Sequence, residues 1–343
     1  MRRRPVGNRL PAGKLPRHVL ASLLERYASP TEGVVLGPRI GEDAAVIEMA
    51  DRYLVVSTDP ITFATKEVGY YAVTVNANDV VTRGARPRWF LMTLLLPEGE
   101  RDAGVEVLFQ QVGAACEALQ VGLIGGHTEV TAGLDRPIVI GTMIGEVAKD
   151  RLVTTSGAKV GDDILLTKGI AIEGTAILAR EREEYLRSRG YPDVFIRTAQ
   201  GYLYDPGISV VVEALVAVET TRVSAMHDPT EGGLSTGLYE LSDAARVGLE
   251  VEEGQIPILD ETHRLCQEFQ LDPLGLIASG SLLITCRPGE TAQLLRAISG
   301  VRVVVRHIGR VVPYAQGVVL AGPGGKRPFP PFQRDEIVKI FAD

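Results

Sequence analysis

"VNANDVVTRGARP", residues 75–87, lies across the end of a segment, Gly69 to Gly84, that reads as a helix. Asn76, Asp79 and Arg83 follow one another at i, i+3 and i+7, so they share one helix face, with the valines on the others. Polar side chains in so apolar a helix must find partners, because unpaired burial is costly. Contact with a metal or a phosphate would satisfy them, and so would an internal hydrogen-bond network.

Outward from this helix the chain alternates helices and strands. Upstream, Pro16 to Tyr27 has helical spacing, and Tyr53 to Ser57 is a β-rich run ending in Thr58-Asp59-Pro60. Downstream come a strand at Trp89 to Leu96 stopped by Pro97, a helix at Arg101 to Leu119, a short strand at Val121 to Ile124 running into Gly125-Gly126, and a strand at Pro137 to Val147. The turn-forming cluster Ser156 to Asp162 suggests a boundary near residue 150, giving domains 1–150 and 151–343. The second half repeats the alternation, with strands at Asp163 to Thr167, Ser281 to Cys286 and Val301 to His307. Its helices are expected at Glu173 to Glu183, Gly207 to Val218 and Gly232 to Val247, with Pro323 to Pro331 irregular. Both halves therefore read as α+β.

Bulk properties limit the function classes. At 343 residues the chain fits two domains better than one core. The net charge of -7 argues against non-specific nucleic-acid binding, and the one basic run, Arg2-Arg3-Arg4, reads as a solvated end. Cys116, Cys266 and Cys286 are scattered, with no CxxC pair, as in a reducing compartment without disulfides or a thiolate zinc site. No run of about 18 apolar residues stands out, so no membrane span is expected. The N-terminus lacks a signal-peptide apolar region, and a cytoplasmic location is the expectation.

Four further clusters carry potential chemistry. Asp43, in Gly41-Glu42-Asp43, suits a strand-entry loop where a carboxylate could ligate Mg²⁺, though surface turns often carry such pairs. Asp59 follows a buried strand, where ligands gather, or simply caps the next segment. Ile124-Gly125-Gly126-His127-Thr128-Glu129 pairs glycines that permit close phosphate approach with a histidine and an acid. Met226-His227-Asp228-Pro229-Thr230-Glu231-Gly232-Gly233 opens a helix, which favours anions, unless Asp228 or Thr230 is only an N-cap.

Taken together and in this order, the clusters resemble the AIR synthetase (PurM) superfamily, which includes thiamine-monophosphate kinase and the hydrogenase maturation factor HypE. The likeness covers about Gly13 to Gly309. Residues 75–87, "GIAIEGTAILA" (169–179) and "HDPTEGGLSTGLYEL" (227–241) are most similar to HypE-type proteins; thiamine-monophosphate kinases typically carry Ser-Asp-Gly-Leu in the last segment.

The resemblance implies a PurM-like two-domain α+β fold and the cofactors ATP and Mg²⁺. It implies metal or Mg–phosphate ligation by Asp43, Asp59 and Asp79, with Asn76 or Asn78 supporting. Gly125, Gly126, His127 and Thr128 would line the nucleotide loop, Lys14 would meet phosphates, and Asp228 with Gly232-Gly233 would close the site. Asp43, Asp79 and Asp228 are the catalytic candidates. It further implies a homodimer in which the N-terminal sheets pair, and phosphoryl activation of an amide-type oxygen on a small-molecule or protein acceptor. Small-molecule kinase and nucleotide-binding scaffold are the alternatives. Two departures bear on the reaction. His127 stands where many relatives have Asp, and imidazole is a poor Mg²⁺ ligand. HypE acts on its own terminal cysteine, whereas the last cysteine here is Cys286 and the sequence ends Ile340-Phe341-Ala342-Asp343, so no self-modifying route through a terminal thiol is expected.

Overall fold

A computed structural model describes residues 15–29, 31–39, 41–62, 64 and 66–341. The N-terminal half runs α1 (Arg17–Tyr27), β1 (Val34–Leu36), β2 (Ala45–Met49), β3 (Arg52–Ile61), α2 (Val68–Val81), β4 (Arg86–Leu96), α3 (Asp102–Leu119), β5 (Gly122–Val130) and β6 (Ile138–Ala148). Its strands form one sheet in the order β1-β2-β3-β6-β4-β5. The C-terminal half begins β7 (Asp163–Thr167), α4 (Ile172–Glu181), α5 (Glu183–Ser188), α6 (Asp193–Gly201), α7 (Val211–Thr220), β8 (Ala225–His227) and α8 (Gly233–Ala245). It continues with β9 (Val247–Glu252), α9 (Asp260–Phe269), β10 (Leu283–Cys286), α10 (Pro288–Gly300), β11 (Val305–Pro313), β12 (Val318–Gly322), β13 (Gly325–Pro328) and α11 (Val338–Phe341). These strands form a second sheet, β13-β12-β9-β11-β7-β10-β8. The two-domain α+β, PurM-like architecture expected from the sequence is the one observed.

Helix α2 is largely apolar because it is covered on nearly all sides, and its buried polar residues, Thr74, Asn76, Asn78 and Asp79, are the exception. One side packs on β3, β4 and β6, another on α3, and a third on α7 of the C-terminal half. Gly141 and Gly145 of β6 make this approach possible: a Cβ on either would collide with Asn76 or Val80 of α2. The halves are also stapled through α2. Asn78 Nδ2 donates to the Ile208 carbonyl at 2.8 Å, and the Val210 N–H donates to Asn78 Oδ1 at 2.9 Å.

Several boundaries differ from the sequence expectation. Asp59 does not follow its strand but sits within β3, which continues to Ile61. Gly125-Gly126 do not end their strand either; β5 runs through them, with a register shift opposite Phe90 and Leu91. The 323–331 segment is not irregular throughout, because β12 and β13 pair across a turn at residues 323–324. Parallel pairing of β12 with β9 gives that hairpin a place in the sheet, a long-range contact that local composition does not encode.

One stretch, Asp193–Thr220, does have the length and average apolarity of a membrane span, although its sequence shows no unbroken apolar run. It is not one straight helix. Asp205 has extended dihedrals (φ -143°, ψ 109°) between α6 and α7, and 56% of the apolar window is buried in the domain.

Candidate functional site

Four aspartates from four separate segments converge between the halves: Asp43 ahead of β2, Asp59 within β3, Asp79 on α2 and Asp228 just after β8. Asp79 is buried, and Ser57 Oγ lies 2.5 Å from its Oδ2. Burial first, and then the charges of Asp59, Asp228 and Asp43, holds the Asp79 carboxyl well above the usual carboxylate range. Asp228 is 2% exposed, and neither of its carboxylate oxygens has a hydrogen-bond partner among the described residues. Burial and then Asp43 push its carboxyl up to about 7, against the opposing pull of His227 and Arg83.

Such crowding of acids is costly unless positive charge arrives. Among the described residues, no three His, Cys, Asp or Glu side chains are close enough to enclose a metal ion by themselves. Mg²⁺ usually takes only one or two carboxylates, with water and substrate phosphates completing its shell. The oxygen-only donor set and the two orphaned oxygens of Asp228 fit Mg²⁺ carried with a polyphosphate.

A second layer holds these acids in place. Arg83, 0% exposed, pairs with Glu42, lies 3.7 Å from Asp43 and donates to Thr155 Oγ1 at 2.8 Å. Glu42 also accepts the N–H groups of Thr155 and Ser156, at 3.3 and 3.2 Å. His227 sits between Asp43 (Nδ1 to Oδ2, 3.2 Å) and Glu240 (Nε2 to Oε2, 3.1 Å). Burial alone would lower its pKa, but Asp43 and Glu240 outweigh that and raise it to about 10, so the ring is an imidazolium at neutral pH. Sequence reasoning does not single out Glu42, His227, Glu240 or Thr155 as site residues. Glu240 lies within the 227–241 segment, but nothing in its spacing marks it as a partner of His227, which it meets because α8 runs back beside β8. Asn76 holds the aspartates indirectly: its Oδ1 accepts the Asp59 N–H at 2.9 Å and its Nδ2 donates to the Ala72 carbonyl at 2.8 Å. The amides of Asn76 and Asn78 are thus committed to backbone rather than presented to a ligand.

Other sequence candidates lie apart. Asp59, Gly141, Met92 and Gly126 form one row across β3, β6, β4 and β5, so Gly126 is three strands from Asp59, roughly 14 Å. A Cβ on Gly126, whose φ is +146°, would collide with the Met92 backbone. Pairing of Thr93 with His127 and of Leu95 with Glu129 puts both side chains on the sheet face opposite Asp59. There His127 Nε2 meets Glu129 Oε2 at 3.1 Å, well exposed. Thr128 sits on the other face of the same edge strand. Lys14 lies outside the described residues.

At the start of α8, Gly232 and Gly233 have φ of +80° and +64°, as an anion-cradling turn requires. The Gly232 N–H, however, donates to Asp335 Oδ2 at 2.6 Å, so a carboxylate of the chain itself takes this place. Asp335 also accepts the N–H groups of Ile277 and Ile337. Beside it, burial pushes Glu173 up to about 7. A raised carboxyl pKa contributes stability that is complete below the unfolded value near 4.5 and is lost as pH rises through about 7. Glu173→Gln is therefore expected to stabilise the protein at pH 8, by on the order of 2–3 kcal/mol, and to be near neutral at pH 4. Thermal unfolding at the two pH values checks this; an equal effect at both would refute it.

Comparison with known proteins matches residues 41–147 to the AIR synthase related protein N-terminal domain and residues 159–321 to the corresponding C-terminal domain. The chain is 31% identical over 285 residues to the carbamoyl dehydratase HypE of Cupriavidus necator, covering 80% of this chain and 78% of the relative. The chain belongs to the AIR synthase-related family. A thiamine-monophosphate kinase of Aquifex aeolicus is 24% identical over 75% of this chain and 79% of its own. Among solved structures, the hydrogenase maturation protein HypE in complex with ATP aligns with a TM-score of 0.69 at 25% identity, covering 95% and 98% of the two chains. A HypE–HypF complex gives 0.74 at 20% identity, covering 92% and 99%. Within the AIR synthase-related domains, Asp43, Asp59 and Asp79 fall in the N-terminal match and Asp228 in the C-terminal one, so the candidate site lies between the two domains.

Proposed function

We propose that this protein is a HypE-like, ATP- and Mg²⁺-dependent enzyme that activates an amide-type oxygen by phosphorylation. The observation that carries this reading is Asp228, buried with both oxygens unpartnered and facing the other acids of the cluster. When bound, ATP with Mg²⁺ supplies a phosphoryl group and neutralises the charge that develops on its transfer. Asp43, Asp59, Asp79 and Asp228 would bind and orient that complex, Asp79 and Asp228 giving up their protons to do so. Arg83 and His227 hold Asp43 in position, and Asn76 holds Asp59. The relatives named carbamoyl dehydratase favour a carbamoyl-like acceptor. It would not be built on a thiol of the described chain: Cys116, Cys266 and Cys286 are buried, and burial pushes Cys286 up to about 11. The acceptor is then a small molecule or a partner's side chain, hydrogenase or other metallocofactor maturation being the setting that the HypE relatives suggest.

Calorimetric titration with ATP and Mg²⁺ tests the reading, and absence of binding would sink it. Phosphorylated product from thiamine phosphate would instead favour a kinase like the Aquifex aeolicus relative. Binding without turnover on any carbamoyl substrate would favour a scaffold.

The same reading includes a homodimer. The sheet face opposite α2 carries Leu54, Val56, Trp89, Leu91, Leu95, Ile140 and Ile144, all only half-buried. A second copy would cover that face, and with it His127 and Glu129. The double variant Leu91→Asp/Ile144→Asp is expected to weaken dimerisation by roughly 10²-fold or more, since it buries two unpaired charges. Sedimentation equilibrium reads this; a monomeric wild type would refute it.

A further inference from the structure

A cavity of about 350 Å³ lies on the connection between the two domains, and none of the four aspartates lines it. Five of its fourteen lining residues are basic, against 36 Lys and Arg in 343 residues overall, in a chain of net charge -7. They are Lys149, Arg151, Lys159, Arg222 and Arg287, drawn from three separate stretches of chain that the fold brings together. The one acid in the lining is Asp150.

Neighbouring acids do not explain the cluster. Lys149 pairs with Glu48, and Arg151 donates to the Val218 carbonyl at 2.9 Å, which fixes its guanidinium at the cavity wall. Glu219, next in sequence, is turned to Arg86. Lys159, Arg222 and Arg287 have no ion pair among the described residues. Cations gathered in one concavity repel one another unless an anion joins them, and a concave wall focuses their field. Thr221 and Ser224 in the lining supply hydroxyl donors, and Arg287 immediately precedes α10, whose N-terminal end adds partial positive charge. Guanidinium groups suit the forked geometry of phosphate oxygens.

We propose that this cavity is a second anion site, for a compact, multiply charged phosphate compound, separate from the aspartate cluster. Its volume admits a pyrophosphate-sized group. It also connects to the candidate active site through the chain: residues 149–154, Gly157 and Lys159 line the cavity, and between them Thr155 and Ser156 donate their N–H groups to Glu42.

The test is a calorimetric titration of the full chain with inorganic pyrophosphate in EDTA, which removes divalent cations, with citrate as a carboxylate of similar charge. One saturable pyrophosphate site is expected, weakened at least tenfold in Arg222→Ala/Arg287→Ala and changed less than twofold in Asp79→Asn. Both arginines are exposed, so the double variant should keep the wild-type Tm and circular dichroism. Citrate is expected to bind at least tenfold more weakly. No saturable binding, retention in the arginine variant, loss in Asp79→Asn, or equal affinity for citrate would overturn the proposal.

Discussion

Asp228→Asn is expected to weaken binding of ATP with Mg²⁺ by roughly 10²-fold or more while raising the Tm of the ligand-free protein at pH 8. The two effects have one cause. Outer-shell partners of a metal ligand already cost 10–100-fold when lost, and a direct ligand should cost no less. Yet without a cation the Asp228 carboxylate is buried and unpartnered, with its pKa pushed up to about 7. A raised carboxyl pKa gives stability that is complete below about pH 4 and is lost as pH rises through about 7. At pH 8 the wild type carries the whole penalty, and asparagine removes it, for a gain on the order of a few kcal/mol. The same shift predicts that binding releases protons and tightens from pH 6 to pH 8. Calorimetry in two buffers of different ionisation enthalpy, beside thermal scans, reads all three quantities. A variant that loses binding and stability together would mark Asp228 as structural and refute the assignment.

Arg83→Met is expected to destabilise the protein by about 3–5 kcal/mol, because it leaves the nearly buried Glu42 carboxylate without its cation. The amides of Thr155 and Ser156 still donate to Glu42, which places the effect towards the lower end. Adding Glu42→Gln should recover at least about 1 kcal/mol, since a neutral amide needs no counter-charge. Urea unfolding of the two single variants and the double variant measures the coupling. A cost under about 1 kcal/mol for Arg83→Met would show that the pair does not hold the site. Arg83 also stands 3.7 Å from Asp43, so nucleotide affinity should fall along with stability.

The opposite signs expected at Asp228 and Arg83 separate two kinds of buried charge. Asp228 is costly in the ligand-free fold and is explained by a ligand. Arg83 is satisfied within the fold and organises the acids that would meet that ligand. A function–stability trade-off of the first kind is common where a site must hold charge ready.

Local patterns were enough to read the α+β alternation and the apolar character of α2. They also marked Asp43, Asp59, Asp79 and Asp228, because acids flanked by apolar or glycine-rich segments are unusual enough to notice. Boundaries were less legible. The glycines at 125 and 126 look like a loop, yet β5 continues through them because pairing with β4 outweighs their weak strand preference.

Sequence by itself determined the family, the α+β alternation and which carboxylates to suspect, while β1, β2, β8, β9, β12 and β13 were not legible in it. Only the tertiary structure decided what each polar residue meets. It set Asn76 against the backbone of β3, His227 between Asp43 and Glu240, and Asp335 on the Gly232 amide. It turned His127 to the sheet face opposite Asp59 and gathered five cations into one cavity. The reason is physical: spacing along the chain fixes which face of an element a side chain occupies, but burial and charge depend on elements that arrive from far away in sequence.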